Sequence, residues 1–150
     1  MAKKKTENIL KRIAQKISAP FQDEKIRRIA GLFLLTTTIF LLASFISYLF
    51  NGRIDHDKIG KFTQDIQNIG GSLGHNLAHR FIYIWFGVSA FIFPFIFLLI
   101  GIKWAFDRSV VSIQKSISIA LFFMLWISVI FGFFTEPSIL GGGFGFQMNE

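Results

Sequence analysis

The sequence predicts an all-α fold, an integral membrane helical bundle with three transmembrane helices, and three observations carry that prediction. First, residues 29–50, 81–102 and 116–135 contain no Asp, Glu, Lys or Arg over 22, 22 and 20 positions. At about 1.5 Å of rise per residue each run extends roughly 30 Å, the thickness of a bilayer's hydrocarbon core, whereas a helix of a soluble domain needs only one apolar stripe. Second, 52% of the 150 residues are hydrophobic and 20 are Phe, more apolar matter than one small soluble core hides. Third, the net charge of +7 alternates with the runs. Nine Lys or Arg face three acids in residues 1–28, four face three in 51–80, three face one in 103–115, and beyond 116 only Glu136 and Glu150 are charged. Loops rich in Lys and Arg stay cytoplasmic, so the N-terminus and the 103–115 loop are expected inside, and the 51–80 loop and the tail outside. Charge placed in this way marks topology rather than a nucleic-acid surface.

Three parts follow: a basic cytoplasmic tail over 1–28, a transmembrane domain over 29–135, and a Gly-rich periplasmic segment over 136–150. In the tail, Ile9, Leu10, Ile13 and Ile17 recur at helical spacing, Lys11, Arg12 and Lys16 occupy other faces, and Ser18-Ala19-Pro20 is a stop. This predicts a short basic amphipathic helix. Lys3, Lys4, Lys5, Lys11, Arg12, Lys16, Lys25, Arg27 and Arg28 are the membrane-surface cations, each contributing about 1 kcal/mol near an anionic leaflet. A solvated topogenic tail is the competing reading, and nucleic-acid binding by Lys3-Lys4-Lys5 a third that no motif supports. A cleaved signal peptide fits badly: the basic region and the apolar run are both too long, and Tyr48-Leu49-Phe50-Asn51 lacks the small-x-small pattern. The absence of Cys excludes disulfides and thiol chemistry.

In the first span Ala43 and Ser47 form a small-xxx-small pair, while Thr36, Thr37, Thr38 and Ser44 offer hydroxyls to their own helix. The outside loop has breakers at Asn51-Gly52 and Gly60, then helical spacing through Ile66, Ile69, Leu73 and Leu77 to Arg80. Gly70-Gly71 and Gly74 interrupt that stretch and predict a bend or a close backbone approach. His75 and His79 share a helix face at the spacing of zinc-binding helices, but only His56 offers a third imidazole and no Glu follows His75. They are therefore read as an interfacial, solvated pair. Gly70-Gly71-Ser72 lacks the Lys-Ser/Thr ending of a phosphate loop.

The second span places Gly87, Ala90, Phe91 and Pro94 on one face, with Trp85 and Trp104 as interfacial anchors and a kink expected at Pro94 unless a neighbouring helix or hydroxyl satisfies the freed Ala90 carbonyl. In the third span Ser112, Ser116, Ala120, Ser128 and Gly132 fall on one i+4 row, with Met124 the large member, and are expected to make the main helix–helix contact. The tail, Glu136-Pro137-Ser138 and then Gly141 to Gly145, reads as a turn and a Gly-rich segment that does not become a helix.

Leu73-Gly74, Leu77-Ala78, Trp85-Phe86-Gly87, Ala90-Phe91-Ile92-Phe93-Pro94 and Gly141-Gly142-Gly143-Phe144-Gly145 resemble the N-terminal four-helix transmembrane domain of the FtsK/SpoIIIE DNA translocases, in its Bacteroidetes-like version. The resemblance spans residues 27–150. It implies a fourth span that these residues only approach, and a longer protein acting as an ATP-driven, hexameric double-stranded DNA pump in chromosome segregation and cell division. Its ATP and magnesium sites and its DNA contacts would lie in a separate cytoplasmic motor. The present segment would anchor that motor at the septum, in the bacterial inner membrane, and contact other divisome membrane proteins. No Walker A pattern occurs here, so no catalytic, cofactor-binding or metal-binding residue is carried over. The competing class is a free-standing small membrane protein, such as a transporter subunit or pore-former. The absence of charge inside the spans disfavours it, because ion and proton pathways usually need intramembrane ionisable groups.

Overall fold

The computed structural model describes residues 23–52, 66–108, 111–134 and 139–150. Among these residues every regular element is helical, and three helical stretches are long and apolar enough to cross a membrane: Glu24–Asn51, Gly71–Phe106 and Ile113–Phe134. The predicted amphipathic helix, Lys3 to Lys16 and His56 lie outside the described residues.

Helix α1 (Glu24–Asn51) begins before the charge-free run, because the Asp23 side chain accepts the Lys25 N–H at 2.9 Å and caps the first turn. Its 28 residues span about 42 Å, so Lys25, Arg27 and Arg28 ride on the helix beyond the hydrocarbon core. Arg28 pairs with Glu24, and Arg27 reaches Asp107 at 3.1 Å. The hydroxyls of Thr36, Thr37 and Thr38 donate to the carbonyls of Leu32, Phe33 and Leu34, which satisfies them without a partner helix. One face is buried, formed by Gly31, Thr38, Leu41, Ser44, Phe45, Ser47 and Tyr48, while Ile29, Phe33, Ile39 and Phe50 point outward as expected of lipid-facing positions.

The second crossing is not one helix. Helix α2 (Gly71–Ala78) runs into a π-helical stretch (His79–Phe86), stops at Gly87, passes through a 3-10 turn (Gly87–Phe91) and resumes as α3 (Ile92–Phe106). The break corrects the expected kink at Pro94. Gly87 holds φ 64 and ψ −147, a conformation essentially closed to residues with a Cβ, whereas Pro94 sits in the first turn of α3, where a missing N–H costs nothing. The Ser89 hydroxyl donates to the Phe86 carbonyl at 2.6 Å, satisfying one acceptor that the break exposes. Gly87, Ala90 and Pro94 are buried.

The largest interhelical contact joins α1 to α3. At its basic end Gly31 meets backbone directly: a Cβ there would overlap Ala105 N and lie 2.7 Å from the carbonyl carbon of Trp104. Gly101 supplies the reciprocal space, with Leu35 seated against it. At the other end Leu41, Phe45, Tyr48, Ala78, Ile82 and Ala90 form the core, and the Phe45 ring meets Phe91 edge-on at 5.5 Å.

Helix α4 (Ile113–Phe134) buries Ala120, Met124, Ser128 and Gly132, while Ser112 precedes the helix and is exposed and Ser116 is half-buried. The row therefore faces inward along its second half, but it is not the main contact. Its chief partner is a short helix, α5 (Gly142–Gln147), formed by the tail that was expected to stay non-helical. Glycine's poor helix propensity is overridden because the absent side chains let α5 lie directly on neighbouring backbone.

Candidate functional site: a glycine junction and a buried polar cluster

Three segments meet at backbone contact where the second crossing breaks. A Cβ on Gly132 of α4 would overlap the carbonyl group of Gly145, and one on Gly145 would overlap the carbonyl oxygen of Ser128. On the opposite side of α5, Gly142 (φ 66) lies against Trp85 and Gly87, and Gly87 lies against the Leu140 carbonyl. The geometry is held by hydrogen bonds. Val88 N donates to Leu140 O at 3.0 Å, the Ser128 hydroxyl to Gly141 O at 2.7 Å, and Asn149 Nδ2 to both Val129 O at 2.9 Å and Gly145 O at 2.7 Å. The Phe144 ring then packs against Phe86 at 5.6 Å. The tail is thus keyed into the break, and the break exists where the tail docks. Of the predicted packing residues the structure brings Gly87, Ala90, Ser128 and Gly132 to this region, while Ala120 lies further along α4 and Ser112 and Ser116 lie near its start.

A second constellation lies between α1, the segment 66–70 and α2. Asn68 is buried; its Nδ2 donates to Ser44 O at 2.9 Å and its Oδ1 accepts from Gly70 N at 2.8 Å. Ile69 N donates to the Ser47 hydroxyl at 3.0 Å, and Asn51 Nδ2 donates to Gln67 O at 3.3 Å. Gly74 passes so close to Ser44 that its Cβ would overlap Oγ. Ser47 is therefore held by the connecting segment and buried, while Ala43, its partner in the predicted small-residue pair, is half-buried.

His75 and His79 belong to this cluster, which corrects the solvated reading: they are 0% and 7% exposed. The Tyr48 hydroxyl and His79 Nδ1 share a hydrogen bond of 2.8 Å, the His79 ring stacks on Tyr83 at 5.1 Å, and the Tyr48 and His75 rings lie 5.4 Å apart. The face carrying Gly74, His75, Ala78, His79 and Ile82 turns toward α1, so the i+4 spacing serves packing and hydrogen bonding. Among the described residues no group of three His, Cys, Asp or Glu converges on a metal position.

Sequence reasoning missed Gly31, Gly101, Tyr48 and Asn68. A signal existed for the first: Gly31, Thr38, Phe45 and Gly52 recur every seven residues, the repeat of a helix seam.

A sequence model described as the 4TM region of DNA translocase FtsK/SpoIIIE matches residues 24–150. The match opens at the first residue of α1 and takes in the broken crossing, α4 and the glycine-rich α5. No curated protein and no solved structure matches the chain. The matched region is a membrane domain and not a catalytic one, and its match over all the spanning helices and the glycine junction shows that this chain belongs to the FtsK/SpoIIIE 4TM family.

Proposed function

We propose that this chain anchors a DNA translocase in the bacterial inner membrane at the division septum and contacts other divisome membrane proteins there, serving chromosome segregation. The observation that carries the reading is the family match over residues 24–150, which names a membrane region of a DNA translocase. The basic residues at the start of α1 and in the α3–α4 connection favour a cytoplasmic N-terminus, with the segment 66–70 and α5 on the periplasmic side. In this proposal ATP, magnesium and double-stranded DNA are handled by a motor outside these residues. Assembly as a hexamer would follow that motor, with the outward apolar faces of α1 and α4 meeting lipid or neighbouring subunits. The glycine junction suits an anchor because backbone-to-backbone contact locks α5 onto α4 and the broken crossing.

The test is a fluorescent fusion of residues 1–150 followed through division, paired with ATPase assays on the purified chain. The expected result is membrane fluorescence concentrated at midcell and no ATP hydrolysis with or without DNA. Even labelling of the whole cell membrane would remove the septal part of the proposal, and DNA-stimulated hydrolysis would remove the assignment of the motor elsewhere.

A further inference from the structure

The two ends of the described bundle differ in charge. The Arg27 to Asp107 contact of 3.1 Å places the start of α1 beside the end of α3, and the short connection 107–112 brings the start of α4 to the same end. Six cations gather there, Lys25, Arg27, Arg28, Lys103, Arg108 and Lys115, against the carboxylates of Asp23, Glu24 and Asp107. The carboxylates are already engaged: Asp23 caps α1, Glu24 pairs with Arg28 and Asp107 with Arg27. Among the described residues no carboxylate lies within ion-pairing distance of Lys103, Arg108 or Lys115. At the opposite end the described charges are Arg80 and Glu150 alone.

One of these uncompensated cations borders a shallow, open depression on one helix face. On the outer face of α4, Gln114, Lys115, Ser118 and Ile119 line an open depression of about 330 Å3. Below it the exposed surface turns wholly apolar along the same face, through Ile119, Phe122 and Trp126. The sequence of surfaces is a cation with two neutral hydrogen-bonding side chains, then an uninterrupted hydrocarbon track running down the helix. That order matches the polarity profile of a phospholipid molecule: an anionic phosphate at the top, acyl chain beneath.

We infer that this face is a binding site for an anionic phospholipid, with the phosphate held by Lys115, Gln114 and Ser118 and one acyl chain lying along Ile119, Phe122 and Trp126. The inference rests on the membrane-anchoring reading. A zwitterionic lipid carries the same phosphate, but its own cation cancels the charge that Lys115 reads, so the site discriminates by headgroup charge. Lys103 and Arg108 hold the surrounding potential positive and raise the local concentration of anionic lipid without needing to touch the bound molecule.

Trp126 reports occupancy, because it lies on the track roughly 16 Å below Lys115 at about 1.5 Å per residue, level with the middle of an acyl chain. The chain carrying Trp85→Phe and Trp104→Phe is placed in phosphatidylcholine vesicles. A minor fraction of the lipid is brominated at mid-chain, as phosphatidylglycerol in one set and as phosphatidylcholine in the other. Quenching per brominated molecule is expected to be roughly fivefold stronger for the anionic lipid, the ratio one surface cation supplies. In Lys115→Glu it should fall to the small excess that Lys103 and Arg108 leave, and it should persist in full in Lys25→Glu, which alters the general surface charge but not the depression on α4. Parity in the parent chain, or equal loss in the two variants, overturns the site. Quenching by brominated phosphatidylcholine monitors the spanning helix independently. Its loss in Lys115→Glu alone would make that variant uninformative on its own, and Gln114→Ala with Ser118→Ala, expected to weaken the anionic preference, then decides. Its absence in the parent chain would overturn the membrane-anchoring reading and the site together.

Discussion

Gly87→Ala is expected to destabilise the domain by about 4 kcal/mol or more, among the largest effects a single methyl group produces. Two costs combine. The backbone at φ 64 and ψ −147 is strained for any residue with a Cβ, and that Cβ would overlap the Leu140 carbonyl, which accepts the Val88 N–H. Neither side can yield easily, because Leu140 leads into α5, which is itself wedged between α4 and the π-helical stretch. Gly71→Ala separates the two costs. Gly71 has nearly the same φ, 61, but nothing lies within 4 Å of the position its Cβ would take, so only left-handed strain of about 1–2 kcal/mol is expected. Thermal unfolding in detergent, followed by tryptophan fluorescence, measures both. Equal shifts would show that conformational strain alone matters and that the tail is not keyed into the break.

Gly31→Leu is the second large effect, expected at roughly 3 kcal/mol. The new side chain has to enter where α1 already touches the backbone of Trp104 and Ala105, so α1 and α3 must separate at their basic ends. That separation stretches the Arg27 to Asp107 pair, whose loss adds little because both side chains are partly exposed, at 33% and 68%. Phe33→Leu, on the outward face at 71% exposure, is the matched control and should change stability by less than about 0.5 kcal/mol. The shared readout is the emission of Trp104, whose backbone forms the contact. A blue shift or no change in Gly31→Leu would mean that the helices do not part there.

The three crossings were legible because bilayer thickness imposes a length on charge-free runs, and no packing detail competes with that signal. Their ends were less so. Reading a span as charge-free starts it at residue 29, whereas the Asp23 cap starts α1 at Glu24 and long basic side chains extend from the helix into the interface. The interior of the second crossing was misread because Pro94 is the louder local signal and Gly87 the decisive one; proline is harmless in a first turn, and nothing in an unbroken apolar run announces where that turn falls. Gly141 to Gly145 read as a breaker because propensity is local, while the reason for those glycines is the backbone of α4 and of the π-helical stretch, distant in sequence. The histidine pair was placed on the right face but in the wrong medium, since its burial depends on Tyr48 and on the Asn68 segment folding over the end of α1. In α4 the small-residue row was visible, but its partner was not, because a six-residue helix rich in glycine leaves no periodic trace.

In the proposed membrane anchor the basic end faces the cytoplasm, and site-directed labelling can read that orientation because the chain contains no Cys. Ile69 is 77% exposed at the end of the bundle opposite the cations, and Ser112 is exposed at the basic end. Single Ile69→Cys and Ser112→Cys variants are treated, in cells whose inner membrane is intact, with a maleimide that does not cross that membrane. Labelling of the Ile69→Cys variant at once, and of the Ser112→Cys variant only after the inner membrane is permeabilised, is the expected result. Immediate labelling of the Ser112→Cys variant with protection of the Ile69→Cys variant would invert the topology, and immediate labelling of both would contradict a spanning domain.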